Sequence, residues 1–110
     1  MTNKWNISDW LEEKVRRRDN HCVYCDIKLK GYPYIKGTPH DKATWEHINN
    51  NEKDICKWNI TLCCASCNSS KGAKKLLDWF DAPFCKNKKI NKKTVADIIK
   101  KYIKIISVKK

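Results

Sequence analysis

The chain is short of acids, glycine, proline and long apolar runs, and no segment repeats. Each shortage narrows the reading. A membrane span needs about 18 or more consecutive apolar residues, and none is present, so membrane anchoring is not expected. Glycine and proline number three each, and Gly31, Pro33, Gly37 and Pro39 crowd into one stretch, which marks a loop from about Asp26 to Lys42. Acids number 12 against 24 lysines and arginines, a net charge of +12 that calls for a polyanion partner. No signal peptide is read at the start, and seven cysteines cannot all pair, so a reducing, cytoplasmic setting is expected over a disulfide-linked secreted one.

At 110 residues the expectation is one domain, 1–110, whose folding buries only about two-thirds of the surface its unfolded chain exposes. Such a chain needs a staple. Cys22-x-x-Cys25 and Cys64-x-x-Cys67 supply one, because two thiolates three positions apart reach one tetrahedral zinc across a tight turn, and two such knuckles close a four-cysteine site. A closed site binds structure, not substrate. Chemistry must then lie elsewhere, and Glu46-His47 between the knuckles, with Asn68 directly after the second, offers ligands for a hard cation and a base for water.

Helix signals open the chain. Residues 8–19 carry Ser8 as N-cap, Asp9, Glu12 and Glu13 in the first turn and Arg16, Arg17 and Arg18 near the end, matching the helix dipole. Residues 43–48 alternate and include β-branched and aromatic types, which predicts a strand ending at Glu46-His47; 49–57 reads as a loop and 59–62 as a second strand. A helix is predicted over 65–72 and another over 74–81, ending before Pro83. Thr94-x-x-Asp97 resembles a capping box for a last helix whose Val95, Ile98, Ile99, Tyr102, Ile103 and Ile106 share one face. That face suits core packing, and a dimer interface is its other use.

From Arg16 to Gly72 the chain resembles an HNH endonuclease of the ββα-metal type, in the branch with a four-cysteine zinc. The likeness rests on Arg18-Asp19 before the first knuckle, Thr44-Trp45-Glu46-His47-Ile48, and Asn59-Ile60-Thr61-Leu62 leading to Cys64-x-x-Cys67-Asn68-x-x-Lys71-Gly72. It implies an α+β fold: a small ββα-metal (His-Me finger) core over about 16–72, stapled by zinc at Cys22, Cys25, Cys64 and Cys67, with flanking helices and a helical extension over about 73–110. It also implies that Glu46 and Asn68 hold a catalytic Mg²⁺ or Mn²⁺, that His47 is the general base, and that Asn59 braces the intervening loop. The implied activity is metal-dependent hydrolysis of DNA, leaving 5′-phosphate and 3′-hydroxyl ends, as in restriction, homing or phage-type nucleases. Double-stranded DNA is the expected partner, cut by a homodimer or nicked by one copy. The sequence departs from the family in having Glu46 where aspartate or histidine is common and no Pro or paired glycines in the loop after it, which leaves Asn49, Asn50 and Glu52 as further candidates for the site.

Lys71, Arg16, Arg17, Arg18, Lys74 and Lys75 are the candidate nucleic-acid contacts, Lys71 one helical turn from Asn68, with ordinary solvation as the plainer reading of each. His21 and His40 are read as non-catalytic, Cys63 as core, and Cys56 and Cys85 as spare thiols. The competing function is a non-catalytic zinc-ribbon-like module that binds nucleic acid through the same cysteines and charge.

Overall fold

Leu11 and Val15, one helical turn apart, face inward from α1 (Asp9–Arg18) and pack with Ile7 against the second strand of the sheet. Asp9 and Glu12 sit in the first turn and Arg16 to Arg18 in the last, as the helix dipole favours. Ser8 takes the N-cap position but caps with its carbonyl, which accepts from the Glu12 amide at 2.9 Å, and not with its hydroxyl. The computed structural model describes residues 7–29, 42–51 and 53–108. The Gly/Pro-rich stretch with His40, and Glu52, lie outside the described residues.

After α1 the chain is tied down by Arg18 and Asp19. The Arg18 guanidinium forks onto the Asp19 carboxylate at 2.8 and 2.9 Å, and the same carboxylate accepts the Leu62 amide at 3.2 Å. The first knuckle follows. Its Val23 amide donates to the Leu62 carbonyl, and its Val23 carbonyl accepts the Ala96 amide, so it bridges the sheet and the C-terminal segment.

β1 (Ala43–His47) and β2 (Ile60–Cys64) pair antiparallel, with Trp45 opposite Leu62, Glu46 opposite Thr61 and His47 opposite Ile60. Side chains alternate between the faces of a strand. Trp45, Ile60 and Leu62 therefore meet α1, whereas Glu46, Cys63 and Thr44 belong to the other face. The second strand starts and ends later than predicted, because it runs straight into the second knuckle.

α2 (Ala65–Lys71) begins on that knuckle: Cys64 is its N-cap, and its sulfur accepts the Cys67 amide at 3.4 Å. Gly72 ends it with φ +51°, a backbone state that glycine adopts without strain. The helix predicted over 74–81 shrinks to α3 (Leu76–Trp79), and an unforeseen α4 (Pro83–Lys88) starts with the proline at a first-turn position, where its missing N–H costs nothing. α5 spans Asp97–Val108. The capping-box expectation fails, since Thr94 closes a preceding turn instead, its hydroxyl donating to Lys89 O and accepting the Asn91 amide.

The larger core joins the first knuckle, Cys63, Cys64 and Cys67 to Leu76, Trp79, Cys85, Ile90, Val95, Ile98 and Ile99. The C-terminal helices thus share one core with the knuckles. Trp79 sits at its centre, fully buried, edge-on to Tyr24 at 4.9 Å and donating its indole N–H to Ser70 Oγ at 3.0 Å. Of the apolar stripe on α5, Ile98 and Ile99 are buried, Tyr102, Ile103 and Ile106 half-buried. Among the described residues no helix is long and apolar enough to cross a membrane.

Candidate metal centre and active site

The sulfurs of Cys22, Cys25, Cys64 and Cys67 all lie within 4.8 Å of one another. A tetrahedral zinc with bonds of about 2.3 Å to sulfur has S···S edges of about 3.8 Å. Cys25 and Cys64 stand at 3.8 Å. Each knuckle also turns a backbone N–H onto its first sulfur, Cys25 onto Cys22 at 3.5 Å and Cys67 onto Cys64 at 3.4 Å, which stabilises thiolates. Crowding splits the acidities: hydrogen bonds from Cys22 hold Cys25 far below the ordinary thiol range and pull Cys64 down to about 7, while Cys25 pushes Cys22 up and Cys22 pushes Cys67 up. This cluster can hold a metal ion such as zinc. Cys63 is not part of it; it is fully buried, with burial pushing its thiol up.

The region around Glu46 is wired differently. Glu46 is 5% exposed, and its Oε2 accepts the Tyr24 hydroxyl at 2.7 Å and pairs with Lys71 Nζ at 3.2 Å. Lys71 is itself 0% exposed and donates to Asn50 Oδ1 at 2.6 Å and the Ile48 carbonyl at 3.2 Å. The expected phosphate contact by Lys71 is therefore corrected: its ammonium points inward, because a buried carboxylate needs a buried counter-charge. Burial, and then the Glu46 charge, push the Tyr24 phenol well up, so it stays protonated as a donor.

Asn68 reaches back from α2 to β1, its amide donating to Thr44 Oγ1 at 3.0 Å and the Trp45 carbonyl at 3.1 Å. This leaves its carbonyl oxygen to accept. Asn59, 3% exposed, spans the loop between the strands, accepting the Asn49 amide and donating to the Asp54 carbonyl, both at 2.9 Å. His47, also buried, closes β1 and follows Glu46 on the opposite face by strand alternation. Residues 46, 47, 59 and 68 are thus gathered on one strand–loop–strand–helix unit, but Glu46 and Asn68 are not bonded to each other.

Do Glu46 and Asn68 suit a hard divalent cation? Their oxygens are of the right kind. Their charge is not, because Lys71 already neutralises Glu46 and stands at the carboxylate oxygen. As arranged, the residues do not form a divalent-cation site.

The arginines expected on nucleic acid are largely spoken for. Arg16 pairs with Glu12 at 3.2 Å and lies over the Trp45 ring at 5.0 Å, Arg17 pairs with Glu13, and Arg18 holds Asp19 together with the Lys57 and Ile60 carbonyls. Arg17 remains the most exposed of these, while Lys74 and Lys75 lie on the surface. His21 is exposed and bridges to Lys28. Cys56 is exposed; Cys85 is buried, which pushes its thiol up to about 11. Sequence reasoning missed Tyr24 and Thr44 as partners of the site; Asn50 was a candidate for it, but not as the acceptor of the Lys71 ammonium. Tyr24 carried a signal, since it lies inside the first knuckle; the roles of Asn50 and Thr44 depend on register.

What fold and thiols define together is an α+β protein with a two-stranded antiparallel sheet and a four-cysteine centre able to bind metal. No family model, curated protein or solved structure matches the chain.

Proposed function

We propose that the chain is a zinc-stapled nucleic-acid endonuclease of the HNH, ββα-metal type. The observation that carries this reading is the tie from Asn68 to the Trp45 carbonyl, which seats the helix residue on the very strand that ends in Glu46-His47. Consecutive β1, loop, β2 and α2, clamped at the base by the cysteines and across the loop by Asn59, support it. The excess of 12 positive charges suits a DNA substrate.

In this reading the His47 imidazole accepts a proton from water near neutral pH. The water oxygen attacks phosphorus, the P–O3′ bond breaks, and the leaving oxygen takes up a proton to give 3′-hydroxyl and 5′-phosphate ends. Zinc at Cys22, Cys25, Cys64 and Cys67 stays structural. Mg²⁺ or Mn²⁺ is expected from the family resemblance, but no step is assigned to it here, because Glu46 is held by Lys71.

That same pair favours the second reading, a zinc-ribbon-like module that binds nucleic acid without cutting it: a neutralised Glu46 has a purely structural use. Zinc-loaded protein incubated with supercoiled plasmid, with and without added Mg²⁺ or Mn²⁺, separates the two. Chelator is unsuitable as the control, since it strips the thiolate zinc as well. Nicking is expected for the native chain and its loss in His47→Ala, with zinc content and helical signal unchanged. Intact plasmid and intact single-stranded DNA under both cations would sink the nuclease reading.

A further inference from the structure

Trp58 lies in the loop between the strands, immediately before Asn59, and 43% of it is exposed. Two ammonium groups attend its ring: Lys57 Nζ at 4.9 Å and Lys101 Nζ at 5.2 Å from the centroid. Lys101 comes from α5, so the fold assembles this group from distant parts of the chain. The ring's stem is fixed. Arg18 donates to the carbonyls of Lys57 at 3.0 Å and of Ile60 at 2.7 Å, and Asn59 is buried with both ends of its amide bonded. Trp79, by contrast, is fully buried with its N–H satisfied, as a core tryptophan should be.

An indole exposed to water on an anchored stretch of backbone, with cations at its ring, is a poor use of an aromatic side chain unless something stacks there. The partner must offer negative charge to the lysines and a flat apolar face to the ring. A strand of nucleic acid with an unstacked base offers both. An acidic peptide offers only the charge, and a regular duplex keeps its base faces inside the stack. Exposed cation–π contacts are worth only about 0.5–1 kcal/mol, so phosphates can draw Lys57 and Lys101 from the ring as a base arrives. The flanking lysines of α5, Lys100 and Lys104, are exposed as well and extend the positive surface.

From this geometry we infer that Trp58, with Lys57 and Lys101, is a stacking platform for an unpaired base, and that the chain engages single-stranded or locally opened nucleic acid there. The inference rests on the proposed function for its class of polymer and not for hydrolysis.

Fluorescence anisotropy with zinc-loaded protein, a labelled oligothymidylate and a labelled blunt duplex, without added Mg²⁺ or Mn²⁺, tests it. Trp58→Ala should weaken oligothymidylate binding about tenfold, the worth of one base on an aromatic ring, and duplex binding less than about twofold. Trp58→Phe should keep most of the affinity. Salt dependence adds a second readout: replacing Lys57 and Lys101 with alanine should lower the slope by about 1.4, some 0.7 per phosphate contact, while Trp58→Ala leaves it unchanged. Unaltered oligothymidylate affinity in Trp58→Ala, an equal loss on both ligands, or no binding by the native chain overturns the platform. Binding through Trp58 without plasmid nicking keeps the platform and removes the nuclease; nicking with Trp58 dispensable does the reverse.

Discussion

The cysteine cluster and the Glu46 region are both built from potential ligands, yet only one of them is electrostatically complete by itself. Four thiols crowd within 4.8 Å with each other and backbone N–H groups as their partners, an arrangement that has, among the described residues, no cation of the chain's own to answer thiolate charge. Glu46, in contrast, has Lys71 for its charge and Tyr24 for its lone pair. The difference teaches that ligand-type residues do not make a metal site until their charge is left unanswered. Sequence motifs name the residue types; only the surroundings say whether a cation is wanted.

The strongest way to break this comparison is to take away the cysteine centre. Cys67→Ser, or a chelator, should unfold the chain, because structural zinc contributes on the order of 10 kcal/mol and a whole domain has about 5–15. Circular dichroism and zinc content should collapse together. A Cys67→Ser protein that keeps its helical signal would show that the core stands without the staple.

A smaller but sharper effect is expected at the ion pair. Glu46→Ala strands the Lys71 ammonium in the core and should cost about 3–5 kcal/mol in chemical denaturation. The triple variant Tyr24→Phe, Glu46→Leu, Lys71→Met should recover most of that, since apolar groups of like volume replace the buried ion pair and no phenol hydroxyl is left without its acceptor. If Lys71→Met is instead tolerated, the carboxylate has another cation in solution and the contrast between the two regions falls.

The smallest effect concerns Thr61, cross-strand from Glu46, whose buried hydroxyl has no hydrogen-bond partner among the described residues. Thr61→Val removes that unmet group at constant shape and should be neutral or stabilise by up to about 1 kcal/mol. A clear destabilisation would mean that water or an ion satisfies the hydroxyl beside Glu46, moving this region toward the cysteine centre in kind.

Much of the scaffold was legible in advance. The α1 helix, both strands and α2 fall within about two residues of their expected bounds, a normal margin for helix ends. Their signals are local: acidic and basic ends, alternation, and a knuckle that doubles as a helix cap. Past Gly72 the reading degrades. Leu76, Leu77, Trp79 and Phe80 looked like one helix, but α3 stops after Trp79, where the Asp81 and Ala82 amides close onto the Asp78 and Trp79 carbonyls; the Trp79 indole meets Tyr24 and Ser70, the first of which no local window contains. Thr94 likewise carried a capping pattern, yet its hydroxyl is used in the turn before α5. Glu46, His47, Asn59 and Asn68 were read as one group and do fall on one strand–loop–strand–helix unit, whereas the partners that set their charge and reach were not readable.

The sequence by itself determined the four-cysteine centre and the strand, loop, strand and helix order around it, because two knuckles of four residues each and the periodicity of short segments are encoded between near neighbours. Only the tertiary structure decided that Lys71 turns inward to Glu46 and that Lys101 meets Trp58. In both, a cation's fate depends on a group far along the chain: a buried charge goes where its counter-charge is buried, and an exposed ring collects whatever charge folding brings beside it.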